Sequence, residues 1–331
     1  MSKLVLCVLC VLALPATASA GGKVSAFYYP WYGTASSDGT YAHWSQLGHT
    51  PPDNIAAGYY PARGLYSSSD SLVVAAQMDE IKAAKIDEIA VSWWGRESPE
   101  NARLDALLAA ARSRGVSVAA HLEPYAGRTV ASTVDDVAYL RGLGIKTFYV
   151  YRALELPLDE WAAANDALAG VTMYAQTNLV GAAAAAHFDG VYTYDIVTYP
   201  GSMFARLCAQ AHARGLRCAP SVGPGYDARR GSGDPHVKPR RNGLTYDAMW
   251  RAAVAAGADR VTITSYNEWH EGTQIEPAAP RTRYGRYRYA CYDGAWGRRG
   301  VAAETAYLDR TAYWSSVLRK TSAAQPKTSA S

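Results

Sequence analysis

Cysteine, phenylalanine and charge are all scarce in this chain. It holds five cysteines in 331 residues, and Cys7 and Cys10 sit in an apolar N-terminal stretch. Cys208, Cys218 and Cys291 remain, an odd number that excludes a disulfide framework but leaves one bridge or three free thiols open. Charged residues make up 19% of the chain, with a formal net charge of +4, so neither a disordered polyelectrolyte nor a strongly basic binding face is implied. Arg281 to Arg288, the one dense basic stretch, reads as a solvated loop, and no nucleic-acid partner is expected. Beyond the N-terminus no apolar run is long enough to cross a bilayer, so no stable membrane insertion is expected. Several catalytic signatures are also missing. There is no Gly-x-Gly-x-x-Gly turn after the first strand, no P-loop, no His-Glu-x-x-His and no Gly-x-Ser-x-Gly. Dinucleotide, nucleotide, zinc-protease and serine-hydrolase chemistry therefore lose their usual sequence support. His43, His49 and His121 have no compact metal spacing, and neither metal nor cofactor is expected.

What is abundant is tyrosine and tryptophan, 24 and 9 residues against 4 phenylalanines. Each pairs a flat apolar face with a polar tip. A sugar needs both, although many of these rings must also serve the core. Residues 1–20 read as a secretory signal peptide, with Lys3, an apolar stretch from Leu4 to Leu14 and a small-residue site at Ala18-Ser19-Ala20. Export is expected, and cleavage would lower the net charge to about +3.

From Val24 onward, short β-branched and aromatic runs alternate with alanine-rich amphipathic stretches. The runs are 24–29, 86–93, 116–121, 145–151, 171–177, 188–194, 216–222 and 260–266. Helical stretches fall at 70–85, 99–114, 133–143, 158–168, 202–214 and 244–256, with a last one near 302–320. Eight strand–helix units predict an α/β fold, a single (β/α)₈ TIM barrel over 21–320, with a disordered tail at 321–331.

Active sites in such barrels lie at the C-terminal strand ends. Six of the ends are polar and aromatic at once, among them Tyr29-Pro30-Trp31 and Trp93-Trp94. The eighth runs into Asn267-Glu268-Trp269-His270-Glu271. Glu268 and Glu271 are the candidate catalytic pair. On a helical turn, positions three apart share a face. Two close carboxyls cannot both ionise cheaply, so one keeps its proton and becomes an acid at neutral pH. The plainer alternative is a solvated glutamate pair. Glu123 suits either a substrate contact or a salt bridge to Arg96 or Arg128. Trp93 and Trp94 are adjacent on a strand and face opposite ways, so one of them at most serves the site.

At these residues the sequence resembles glycoside hydrolase family 99, the endo-α-1,2-mannosidases and endo-α-1,2-mannanases. The matching segments are ITSYNEWHEGTQIE (263–276), PSVGPGY (220–226), FYYPWYG (27–33), DGTYAHW (38–44), YPARGLYSSSD (60–70), HLEPY (121–125) and FDGVYTY (188–194). They span nearly all of the chain after the leader. The resemblance implies a metal-free retaining endo-hydrolase of α-1,2-linked mannose chains that works through a 1,2-anhydro sugar. Glu268 would be the base on the substrate's 2-hydroxyl, and Glu271 the general acid and base. It also implies a pocket containing Tyr29, Glu123, Tyr192, Tyr194 and His270. The substrate-binding set expected overall adds Trp31, His43, Trp93, Trp94, His121, Arg229, Asn267 and Trp269. The expected partner is an α-mannan or mannose-containing oligosaccharide, and the protein is expected to be monomeric. Another α-linked glycan, or a carbohydrate-binding protein on the same scaffold, are the competing readings. Arg152, Asp195 and the segment 281–300 depart from the family pattern.

Overall fold

The computed structural model describes residues 22–324. The leader expected at 1–20 and the chain after Ala324 lie outside the described residues. In chain order the strands are β1 (Lys23–Tyr28), β2 (Glu88–Trp93), β3 (Ser117–Leu122), β4 (Thr147–Val150), β5 (Thr172–Gln176), β6 (Gly190–Tyr192), β7 (Arg217–Ala219), β8 (Ser221–Val222), β9 (Tyr226–Asp227), β10 (Val237–Lys238), β11 (Arg260–Ile263), β12 (Arg283–Tyr284) and β13 (Tyr287–Arg288). Nine of them form one parallel sheet in the order β7-β6-β5-β4-β3-β2-β1-β11-β8. Its two ends, β7 and β8, are consecutive in the chain and separated only by Pro220, so the sheet curls into a nearly closed (β/α)₈ barrel. Proline has no N–H to give the ladder, and here it marks the break. Side chains tie the seam: the Ser221 N–H donates to Thr193 Oγ1 at 2.9 Å, and the Tyr194 N–H donates to Ser221 Oγ at 2.7 Å.

All eight predicted runs contain barrel strands, and the helices follow the predicted rhythm. Local signals explain the helix starts. Asp70 caps the helix Ser71–Ala83 by accepting from the Leu72 and Val73 N–H groups, and Thr129 and Ser132 form a reciprocal capping box on Val130–Gly142. Ser98 caps a short helical turn that has Pro99 in its first position. The helix Val180–Ala185 was not anticipated, because six alanine-rich residues show no amphipathic period. The stretch expected at 99–114 is two helices, Pro99–Ala102 and Leu104–Ser113. The tail boundary at 321 also needs correction. The last helix runs Ala306–Ala324, and there Thr321 and Ser322 return their hydroxyls to the carbonyls of Val317 and Leu318. Cys208 and Cys218 form a disulfide joining the helix Phe204–His212 to β7, and Cys291 is free.

Inside the barrel, rings and one ion pair fill successive levels. At the N-terminal end Arg260 pairs with Glu88, and Ser25 and Tyr149 hydrogen-bond to the same carboxylate. Above it Phe27 packs against His121, Tyr149, Tyr192 and Tyr194 with ring centroids 4.6–5.8 Å apart. These rings form a rigid floor beneath the strand ends. A buried ion pair that loses one partner leaves an uncompensated charge, which costs about 3–5 kcal/mol. Arg260→Met is therefore expected to lower unfolding stability by about that amount in denaturant titrations. The double variant Arg260→Met/Glu88→Leu should recover much of the loss.

Candidate active site

The chain leaves β11 at Ile263 and makes one tight turn, Trp269–Glu271, closed by Gly272 in the left-handed conformation. Hydrogen bonds with the loop that follows β1 fasten this segment. Asn267 grips the Tyr29 backbone from both sides, accepting from its N–H at 2.8 Å and donating to its carbonyl at 3.0 Å. The Tyr32 hydroxyl donates to the Asn267 carbonyl at 2.8 Å and accepts from the Trp269 N–H at 3.0 Å. The Trp269 indole N–H donates to the buried carboxylate of Glu276 at 2.8 Å, which also binds Arg63, Gln77 and Tyr66. Asn267 and Trp269 therefore hold the turn from behind and do not face a cavity.

On the open side, Glu268 and Glu271 line a cavity of about 340 Å³ together with Tyr29, Trp31, Trp94, His121, Glu123, Pro124, Tyr151, Arg152 and Tyr194. A second cavity of about 320 Å³ shares Tyr151, Tyr194 and Glu271 with the first, and adds Asp195, Thr198, Tyr226, Asp234, His236, Thr264 and Thr273 among others. Glu271 thus stands between two cavities, whereas Glu268 opens only onto the first.

Burial is the main force on both carboxyls. Glu268 is held well above the usual carboxylate range, first by desolvation and then by the charges of Glu271 and Glu123. Hydrogen bonds from tyrosine hydroxyls oppose this, and the Tyr194 hydroxyl donates to Glu268 Oε2 at 2.7 Å. The Tyr29 and Tyr194 hydroxyls are hydrogen-bonded to each other, so the two phenols form a relay ending on Glu268. The Glu271 carboxyl is pushed up to about 7 by desolvation, with Asp195 and Asp234 adding to it and contact with Glu268 opposing. The pair therefore carries a proton close to neutral pH.

The other predicted site residues separate by position. Trp94 faces the first cavity. Trp93 turns the opposite way, donates to Asn101 at 3.0 Å and packs by Tyr125 and Tyr139, so it is not a sugar platform. Glu123 accepts from Ser92 at 2.8 Å on the cavity wall, not from Arg96 or Arg128. His121 Nε2 meets the Tyr192 hydroxyl at 2.9 Å, while its Nδ1 lies 2.9 Å from Glu123 without hydrogen-bond alignment. Tyr192 is buried beneath the cavity and belongs to the floor. Tyr194, two residues on, has left the strand and adopts a positive φ of 56°, which carries its hydroxyl to Glu268. Positions two apart on a strand share a face, but Tyr194 lies beyond the end of β6 and turns away from it. His43 stacks on Trp31 at 4.4 Å, and His270 reaches the His43 carbonyl. Burial pushes His43 down to about 3 and His270 down to about 4, so both are neutral struts behind Trp31 and not cavity residues. Arg229 is exposed and engaged in a two-pronged pair with Asp227, away from both cavities.

Tyr151, Asp234 and His236 were missed. Tyr151 ends a predicted strand and was open to the strand-end argument. Asp234 and His236 lie in the excursion between β9 and β10, which carries no local signal. Arg240 was missed too. Its buried guanidinium lies 4.6–4.8 Å from the rings of Tyr59, Tyr292 and Tyr307 and donates to the carbonyls of Gly272 and Gln274. It braces the return limb of the glutamate turn. Among the described residues no group of three His, Cys, Asp or Glu side chains is arranged to hold a metal ion.

Gly231 packs directly on this turn, and a Cβ there would stand 2.3 Å from the His270 carbonyl oxygen. Gly231→Ala must displace either its loop or the turn, and activity is expected to fall at least about tenfold while circular dichroism stays unchanged. The raised Glu271 carboxyl gives a second expectation. An unfolded glutamate titrates near its ordinary 4.5 and the folded one near 7, so folding takes up a proton between those values. Stability contributed by this group is present below pH 4.5 and is lost as pH rises through 7. Glu271→Gln should therefore melt above wild type at pH 8, by at most about 3 kcal/mol, and show much less gain at pH 4.5.

Comparison with known proteins identifies the family and supports the fold. The model of glycosyl hydrolase family 99 matches residues 21–320. A glycoprotein endo-alpha-1,2-mannosidase-like protein of Danio rerio is 31% identical over 319 residues, covering 78% of this chain and 72% of its own. The like-named Mus musculus protein is 30% identical over 316 residues, covering 78% and 70%. Among solved structures, the GH99 endo-alpha-mannosidase of Bacteroides thetaiotaomicron superposes with a TM-score of 0.82 at 30% identity, over 92% of this chain and 99% of that one. A (β/α)₈ barrel with a paired-glutamate rim and family-wide matching along nearly the whole chain leads to one conclusion: the protein belongs to glycosyl hydrolase family 99 and is a glycoside hydrolase.

Proposed function

We propose that this enzyme is an exported, monomeric, retaining endo-α-mannosidase that hydrolyses α-1,2-mannosidic linkages, with Glu268 and Glu271 as its catalytic residues. Family membership and the names of its relatives support α-mannosidic glycans as substrates. The observation that carries the mechanism is the unequal placement of the two carboxyls. Glu268 faces one cavity and accepts from Tyr194, a pattern that suits a carboxylate base. Glu271 lies where two cavities meet and holds a proton up to about pH 7, which suits an acid between the sugar being attacked and the sugar leaving.

In the first step Glu268 takes the proton of the sugar's 2-hydroxyl. That oxygen attacks C1, the C1–O bond to the leaving sugar breaks, and Glu271 gives its proton to the departing oxygen. A 1,2-anhydro sugar results. In the second step Glu271 takes a proton from water, and the water oxygen adds to C1. The C1–O2 bond opens and Glu268 returns its proton to O2. Each step inverts C1, so the configuration is retained overall. Trp94 offers a flat face to the sugar.

Hydrolysis of a panel of α-linked glycans, with product anomers followed by NMR, tests the reading. α-1,2-Mannan should be cut internally with retention. Glu268→Gln and Glu271→Ala should each lose at least about 10³-fold in kcat, in line with loss of an essential acid or base. Rate should fall on the alkaline side of pH 7 as Glu271 loses its proton. An inverted product would sink the mechanism, and glycan binding without cleavage by the wild type would favour a carbohydrate-binding protein.

A further inference from the structure

The segment after the catalytic turn builds a small two-stranded ribbon, β12 paired with β13 in antiparallel register. Tyr284 lies opposite Tyr287, and Arg283 lies directly opposite Arg288. Residues alternate faces along a strand, so one face of the ribbon is tyrosine and the other arginine. The tyrosine face is fastened to the body. Tyr284 stacks on Tyr60 at 3.7 Å, and beside it the Tyr289 hydroxyl donates to the Asp53 carbonyl at 2.7 Å. The arginine face is turned to solvent. Arg281 and Arg286 flank it, their guanidinium groups 4.9 Å and 5.3 Å from the Tyr284 and Tyr287 rings. Among the described residues none of these four arginines forms an ion pair. The Asp53 carboxylate sits beside Gly285 at the turn, and Glu304 acts on Tyr284.

Like charges placed directly opposite in a ribbon destabilise it. Folding stability alone thus gives no reason for the Arg283–Arg288 pair, and an anion laid across both would remove the repulsion. Guanidinium groups match phosphate oxygens in two-pronged geometry. The ribbon also lies at the glycan-binding end of the barrel. Arg230 approaches the Tyr287 ring at 5.9 Å, and its neighbour Gly231 abuts His270 in the catalytic turn.

We propose that the arginine face of the β12–β13 ribbon is an accessory docking surface for phosphate-bearing mannan, holding an anionic region of the polymer while the barrel cleaves elsewhere along it. This deepens the α-mannan reading and rests on it. Because the surface is solvent-exposed, its attraction should weaken with salt.

The test uses the whole chain carrying Glu271→Gln, so that polymer is bound without being consumed. Binding is measured by biolayer interferometry to immobilised phosphomannan, and to the same mannan after its phosphates are removed, across a salt series. Wild-type ribbon should bind phosphomannan at least about tenfold tighter than the dephosphorylated polymer, with the difference collapsing at high salt. Substituting Arg281, Arg283, Arg286 and Arg288 by Gln should abolish that difference and leave affinity for the neutral polymer unchanged. With Glu271 restored, the same four substitutions should leave kcat and KM on a short neutral mannooligosaccharide unchanged. Equal binding to both polymers by the wild-type ribbon overturns the proposal, as does phosphate-dependent binding that survives the four substitutions. Binding to duplex DNA or to anionic phospholipid vesicles as tight as to phosphomannan also overturns it. Cleavage of neutral α-mannan scores the hydrolase reading separately, so failure of one leaves the other legible.

Discussion

Glu268 and Glu271 leave the end of β11 within one turn, and bulk water surrounds neither of them. A carboxyl removed from water resists ionisation, and a neighbouring carboxylate adds to that resistance. Only one of the pair can then bear charge cheaply, and the surroundings choose which. Desolvation raises both, Glu268 the further; hydrogen bonds from Tyr194 and Tyr29 oppose the rise at Glu268, and a hydrogen bond from Glu268 opposes Asp195 and Asp234 at Glu271. Each glutamate is thus tuned by burial, by its partner and by neighbours from other parts of the chain.

Holding such a pair in place requires a stiff mount, because a small misplacement of groups that must act together is costly. Three separate parts of the chain supply it. Asn267 and Tyr32 tie the turn to the end of β1, Glu276 anchors Trp269 from behind, and Arg240 braces the carbonyls just past Glu271. Beneath it the interior rings of the barrel, from Phe27 to Tyr192, leave the turn no room to sink. Much of the tyrosine in this sequence serves that mount; among the described residues Tyr29, Tyr151, Tyr194 and Tyr226 are the tyrosines that reach the walls of the two cavities beside the glutamates.

The strand–helix rhythm was readable because each strand is a run of β-branched and aromatic residues, and most helices announce themselves with a cap or a following glycine. The strand-end rule then found Glu268, Glu271, Glu123, Tyr29, Trp31, Trp94, His121 and Tyr194 among the cavity residues. The same rule also brought in Trp93, Tyr192, Asn267, Trp269 and His270, and the family resemblance brought in His43; all of these stand behind or below the cavity. Adjacency in sequence cannot distinguish a ring that faces a cavity from one that supports it. Arg229 was drawn in by nearness to a motif, and a local pair with Asp227 holds it outside.

The sequence by itself determined the barrel, its family and the spacing that puts two carboxyls on one turn, because those depend on patterns that recur within a few residues. Only the tertiary structure decided which side of Glu271 each cavity occupies, which tryptophan faces inward, and that Asp234, His236 and Arg240 converge on the same turn. These follow from how a loop some thirty residues away in the chain folds back across the barrel mouth. No short-range pattern encodes that return, since what fixes it is contact between surfaces that meet only once the barrel has closed.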